Sequence, residues 1–123
     1  MLRGNVNAQR EAIVPIDVRD CAGRHVSLEA VIDTGFNGYL SLPTAIISNL
    51  GLLFVFQSKA RLADGTEVSL NVFEAVVVWD GTPTAVEVDA VEGAPLVGMA
   101  LLQGFDLRIR AIPGGEVEIE RIP

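Results

Sequence analysis

The chain has 123 residues, which suits one domain with its own core and leaves no room for two lobes. Half of the residues are hydrophobic, which excludes a disordered chain. Nine basic residues against sixteen acidic ones give a net charge of −7, a balance that repels phosphate backbones and argues against a nucleic-acid binder.

Val and Ile together number 25, and β-branched residues favour strands. The first stretch, Met1 to Glu11, is polar, carries Arg3 and Arg10, and lacks the apolar segment of a secretory signal. It reads as a loosely ordered arm, 1–11, of a single domain spanning 1–123. From Ala12 to Arg19 apolar residues alternate (Ala12, Val14, Ile16, Val18), which is the period of a strand. Asp20-Cys21-Ala22-Gly23 supplies turn chemistry. Val26, Leu28, Ala30 and Ile32 alternate again, so the pair reads as a hairpin that delivers Asp33 to the end of its second strand.

No charge occurs between Thr34 and Ser58, a length that could span a bilayer. Gly35, Gly38, Pro43 and Gly51 divide that stretch into pieces too short for a spanning helix, and no membrane association is expected. Tyr39 to Leu42 reads as extended. Pro43 suits a first helical position, Thr44 to Leu50 a short helix, and Gly51 its closing residue. Leu53 to Ala63 and Thr66 to Trp79 read as long strands joined at Asp64-Gly65, whose pairing favours a type I′ turn. Asp80-Gly81 marks the next turn, followed by a strand from Thr84 to Val91. Leu96-Val97 is a short buried strand, and Met99 to Gln103 can make one or two helical turns. A last hairpin runs from Phe105 to Ile112 and from Val117 to Ile122 around Pro113-Gly114-Gly115. The sum is a mainly all-β domain with two short helices, closed into a barrel or a sandwich.

The sharpest chemical signal is Val31-Ile32-Asp33-Thr34-Gly35. A carboxylate directly after an apolar strand is unusual, because an unpaired buried charge costs several kcal/mol. Gly35 allows a tight turn and close backbone approach. Taken alone, the tripeptide is better explained by an Asx-type turn between strands. Hydrolysis of a peptide by carboxylates needs two of them close together, one ionised to take a proton from water and one protonated to polarise the carbonyl. The chain has one Asp-Thr-Gly. Asp64-Gly65-Thr66 reverses the order of the last two residues, and Asp106-Leu107 lacks the glycine. A second carboxylate must therefore come from Asp33 of a second copy across a two-fold axis, which makes the expected partner a homodimer.

Three segments in register resemble the retropepsin-like aspartic proteases, in particular the small bacterial and archaeal members with one motif per chain. They are Ala30-Val31-Ile32-Asp33-Thr34-Gly35 after a hairpin, the hairpin around Ala63-Asp64-Gly65-Thr66, and Pro95-Leu96-Val97-Gly98-Met99 before a short helix. The resemblance covers about Ile13 to Ile112. It implies a closed, barrel-like acid-protease fold with one lobe per chain and Asp33 as the catalytic residue. Thr34 and Gly35 would support it, with the Thr34 hydroxyl bonding across the dimer beneath the dyad. Ala63, Asp64 and Gly65 would be the tip of a flap over an extended polypeptide substrate, and Leu96, Val97 and Gly98 the second conserved turn. No cofactor or metal is implied. Phe36 and Asn37 stand where many retropepsins carry Ala and then Asp or Ser, and Met99 where many carry Arg. The loss is matched, since that Arg pairs with that Asp. The alternative from another class is a catalytically silent peptide-binding or scaffolding dimer on the same fold.

Other candidates carry less. His25, the only histidine, reads as a solvated surface residue, and the sequence has no paired Cys/His spacing for zinc. Cys21, the single cysteine, can form no internal disulfide, fits a reducing cytoplasm, and reads as an inert thiol. Glu87, Asp89 and Glu92 do not match a calcium loop and read as a solvated strand edge. The Glu116 to Glu120 alternation reads as a half-exposed strand at an edge or a dimer interface, and Trp79 and Phe73 as core.

Overall fold

Strand periodicity becomes burial. In a computed structural model that describes all residues, Met1–Pro123, the alternating residues Ala12, Val14, Ile16 and Val18 point into the core from strand β2 (Ala12–Arg19), with Val14 and Val18 fully buried. Strand β2 pairs antiparallel with β3 (His25–Ile32), from Ile13 opposite Val31 to Arg19 opposite His25. The Asp20 carboxylate closes this hairpin by accepting from the N–H groups of Arg24, at 2.8 Å, and Ala22, at 3.0 Å. Those bonds, that from the Arg24 N–H foremost, hold its carboxyl below the usual aspartate range.

The N-terminal residues are not a loose arm. Leu2–Val6 forms strand β1, whose polar residues alternate outward while Val6 is buried. Two neighbours hold it: β2 on one side and the last strand, β10 (Glu116–Arg121), on the other. Backbone pairing on both sides compensates for its weak apolar pattern. Gly4 is needed there, because a Cβ would lie 1.8 Å from the Ile13 carbonyl oxygen.

After β3 come β4 (Leu40–Leu42) and helix α1 (Thr44–Leu50). Pro43 is the residue before the helix, with extended backbone (ψ 154°), rather than its first turn. Pro cannot cap with its side chain, and Glu92 does so instead, accepting from the Thr44 N–H at 3.2 Å and from the Thr44 hydroxyl. Gly51 ends the helix in the left-handed region at φ 64°. The long hairpin of β5 (Leu53–Arg61) and β6 (Glu67–Trp79) follows, then β7 (Thr82–Ala90), β8 (Leu96–Val97), helix α2 (Met99–Leu102) and β9 (Phe105–Ile109).

All ten strands join one mainly antiparallel sheet in the order β5-β6-β7-β4-β8-β3-β2-β1-β10-β9, and an extra pairing of β6 with β2 brings the sheet back on itself. The core fills the interior so made, with Leu40, Leu42, Val77, Val88, Val97, Val117 and Ile119 fully buried. Trp79 is core, 3% exposed, with its ring edge-on to Phe105, and Phe73 packs against the same cluster. The acidic segment of β7 was expected at a strand edge and β10 at an edge or a dimer interface, and neither strand is an edge of the sheet. Strand β10 lies between β1 and β9, and β7 between β6 and β4, so the glutamates of both sit on internal strands. The uncharged stretch from Thr34 to Ser58 is divided among a loop, β4, α1 and β5, and no helix is long and apolar enough to cross a membrane.

Candidate active site

Two crossing segments place Asp33. It follows the last residue of β3, and there β3 runs parallel to the two-residue strand β8, Val31 beside Leu96 and Ile32 beside Val97. The Asp33 N–H donates to the Val97 carbonyl at 2.9 Å, and the Val31 N–H donates to that of Pro95 at 2.8 Å. The backbone of Asp33 is therefore anchored in the sheet while its side chain stays half-exposed. The Gly35 N–H donates to Asp33 Oδ1 at 2.9 Å, and the Phe36 N–H to the Asp33 carbonyl at 3.1 Å. This is the Asx-type turn the tripeptide favours, built onto a strand end that fixes where the carboxylate points. Thr34 and Gly35 are exposed beside it.

The turn from Leu96 to Gly98 locks this loop from the other side. The Gly98 N–H donates to Tyr39 O at 3.1 Å, Met99 N–H to Phe36 O at 2.8 Å and Ala100 N–H to Gly38 O at 3.1 Å. The first residues of α2 thus spend their free N–H groups on the carbonyls of the Asp33 loop. The backbones are so close that a Cβ on Gly98 would lie 2.2 Å from the Gly38 oxygen. Gly98 has ordinary extended backbone (φ −104°), so it is space and not conformation that requires glycine. The loop that carries Asp33, Thr34 and Gly35 and the turn of Leu96, Val97 and Gly98 are thus fastened together by backbone hydrogen bonds.

Ala63, Asp64 and Gly65 are elsewhere, at the exposed far end of the β5–β6 hairpin. Their turn is not type I′. Gly65 has φ 88°, but Asp64 is not among the residues with positive φ. The Gly65 N–H donates to Leu62 O at 3.0 Å and the Leu62 N–H to Thr66 O at 2.7 Å. That is a loop closed by a left-handed glycine bulge. The Asp64 carboxylate explains the preference, because it accepts from the Thr66 N–H at 2.9 Å and is held below the usual aspartate range by that bond. The type I′ geometry occurs instead at Asp80-Gly81, with φ 50° and 78°. A Cβ on Gly65 would meet nothing within 4 Å, so the space beside this exposed glycine is open.

Asp89 is the residue that sequence reasoning missed. It lies on β7 opposite Ser41 of β4 and Val72 of β6, with Oδ2 3.4 Å from where a Cβ on Gly38 would be. Burial, helped by the charge of Glu87, pushes its carboxyl above the usual aspartate range. Only a knowledge of which strands flank β7 could have separated it from its solvated neighbour Glu87. His25 is exposed as expected, and Cys21 is an exposed free thiol whose Sγ approaches the Gly51 carbonyl. No family model, curated protein or solved structure matches the chain.

Proposed function

We propose that the chain is one half of a homodimeric aspartic endopeptidase, a single closed, barrel-like acid-protease lobe in which Asp33 of each copy supplies one carboxylate of a shared dyad. The observation that carries this reading is the anchoring of Asp33. Its backbone is tied to Val97 at 2.9 Å, its loop is fastened to the Gly98 turn, and its carboxylate is left half-exposed. A purely structural Asx turn needs none of the second fastening.

In the dimer the two carboxylates share one proton. The ionised one removes a proton from a water that attacks the peptide carbonyl, and the protonated one hydrogen-bonds the carbonyl oxygen as it gains charge. Proton transfer back through the pair then releases the amine. The substrate lies extended beneath the exposed Ala63–Gly65 tip, adding a strand whose backbone bonds give affinity. Thr34, exposed next to the dyad, bonds across the two-fold axis. The one free cysteine suits a cytoplasmic protein.

The test is incubation with a proteome-derived peptide library over a pH series, with Asp33→Asn as control. The variant should lose about a thousandfold or more in cleavage rate while keeping its circular dichroism and its elution volume. Retained cleavage by Asp33→Asn removes Asp33 from the chemistry. Wild-type activity should also fall faster than concentration on dilution, because a monomer holds half a site. Constant activity per subunit in a species that light scattering shows to be monomeric refutes the shared dyad.

A further inference from the structure

Resting on the shared-dyad reading, we propose that Asp89 and the Ser41 hydroxyl beside it form a notch that takes a basic side chain, lysine or arginine, of the bound polypeptide.

Register defines the place. Asp89 of β7 lies opposite Val72 of β6 and Ser41 of β4, Ser41 lies opposite Leu96 of β8, and Leu96 lies beside Val31 of β3. Directly paired residues share a face of the sheet, so these side chains make one row across it. Their chain neighbours Leu40, Val88 and Val97 point the other way, into the core. Val72 and Ser41, 3% and 2% exposed, are buried without belonging to that core. The row therefore floors a second, half-covered surface. It starts at Val31, on the strand that delivers Asp33. It ends at Val72, the last residue of β6 that pairs with β7 before the β5–β6 hairpin runs on alone. The loop that carries Asp33 borders it, since Asp89 Oδ2 is 3.4 Å from where a Cβ on Gly38 would be.

Two polar groups on this floor lack partners. Ser41 Oγ is buried with no hydrogen-bond partner. A buried hydroxyl left unpaired costs free energy, and a donor from a ligand removes that cost. The half-buried Asp89 carboxylate takes part in none of the ion pairs of the chain. The charges nearest to it along this face of β7 and β6 are acids, Glu87 and its cross-strand neighbour Glu74. Burial first, and then the charge of Glu87, hold its carboxyl above the usual aspartate range, as expected of a carboxylate without a cation. A lysine or arginine side chain supplies the missing charge to Asp89 and the missing donor to Ser41 together. An acidic side chain is repelled there, and an apolar one leaves both polar groups desolvated and unpaired.

Strand spacing sets the position in the substrate. The steps from β7 to β4, β8 and β3 separate Asp89 from the strand of Asp33 by about 14 Å, the length of about four residues of extended peptide. The two-fold axis of the dimer repeats the notch on the other side of the bond that is cut. The basic residue therefore falls within about four positions of that bond, on either side.

Extended apolar peptides with one arginine at successive positions, each with an uncharged citrulline counterpart, test this on wild type, Asp89→Asn and Ser41→Ala. Wild type should cleave the best arginine peptide with kcat/KM about tenfold or more above its counterpart, through KM more than kcat. Asp89→Asn should erase the difference by lowering the arginine value alone, and Ser41→Ala should reduce it. Asn keeps the shape of the side chain, and melting temperatures confirm that each variant is folded. Cleavage by wild type without an arginine preference, or a preference that Asp89→Asn retains, overturns the notch and leaves the peptidase reading standing. Fluorescence anisotropy with Asp33→Asn reads the same peptide pairs as binding. If wild type cleaves nothing, tighter arginine binding that is lost on adding Asp89→Asn upholds the notch and overturns the peptidase. Neither cleavage nor binding of any peptide overturns both.

Discussion

Gly98→Ala attacks the junction that positions Asp33, and its cost can be worked from distances. The new methyl would lie 2.2 Å from the Gly38 oxygen, 2.7 Å from the Phe36 oxygen and 2.6 Å from the Phe36 ring. The first contact is more than 1 Å short of the 3.4 Å at which ordinary van der Waals contact begins, and two of the three atoms are backbone. Overpacking of this kind costs about 1–3 kcal/mol. Separating the segments to relieve it also lengthens the Met99–Phe36 and Ala100–Gly38 hydrogen bonds, each worth about 1 kcal/mol net. The sum, about 3–5 kcal/mol, is a large part of the stability of a domain this size. A melting temperature lower by about 10–20 °C is expected in calorimetry. Peptide cleavage should be lost even at temperatures where the variant is folded, because the loop that carries Asp33 has to move. Gly35→Ala is the comparison: its methyl would meet only Asp33 Oδ1, at 3.3 Å, so it should spare the fold. Equal melting temperatures for Gly98→Ala and wild type would refute the close approach of the two loops.

Two further perturbations separate site from scaffold. Asp89 has its carboxyl raised by burial, so the folded protein holds that proton more tightly than the unfolded chain and loses stability as pH rises through the folded value. Asp89→Asn should therefore stabilise the protein at neutral pH, an advantage that disappears well below the ordinary aspartate range; chemical denaturation at the two extremes measures it, and a variant destabilised at neutral pH would contradict the assigned burial. Gly65→Val puts a β-branched residue at φ 88°, which it tolerates poorly, where a Cβ meets nothing within 4 Å. It should raise KM or lower kcat with the thermal stability of the body little changed, and unaltered kinetics would mean that the hairpin does not cover substrate.

The period-2 burial along β2, β3 and β6 was legible in the sequence because alternation of apolar residues is itself the strand signal, and the hairpin leading to Asp33 followed from it. The Asp-Thr-Gly tripeptide and the Gly98 turn were likewise visible as motifs, and at Gly98 glycine is demanded because two backbones nearly touch. Four things depended on the assembled sheet. Strand β1 is ordered by neighbours on both sides, although its own sequence is polar and carries almost no apolar pattern. The turn at Asp64-Gly65 took the geometry its Asp64–Thr66 bond prefers, while Asp80-Gly81 took the mirror-image turn. Strand β7, read as an edge, and β10, read as an edge or a dimer interface, are internal to the sheet, and with that Asp89 became half-buried while Glu87 stayed solvated. Side-chain periodicity reports which face of a strand is covered, but says nothing about which strands lie beside it; hydrogen-bond partners across a sheet come from residues far away in the chain, and only the tertiary structure decides them.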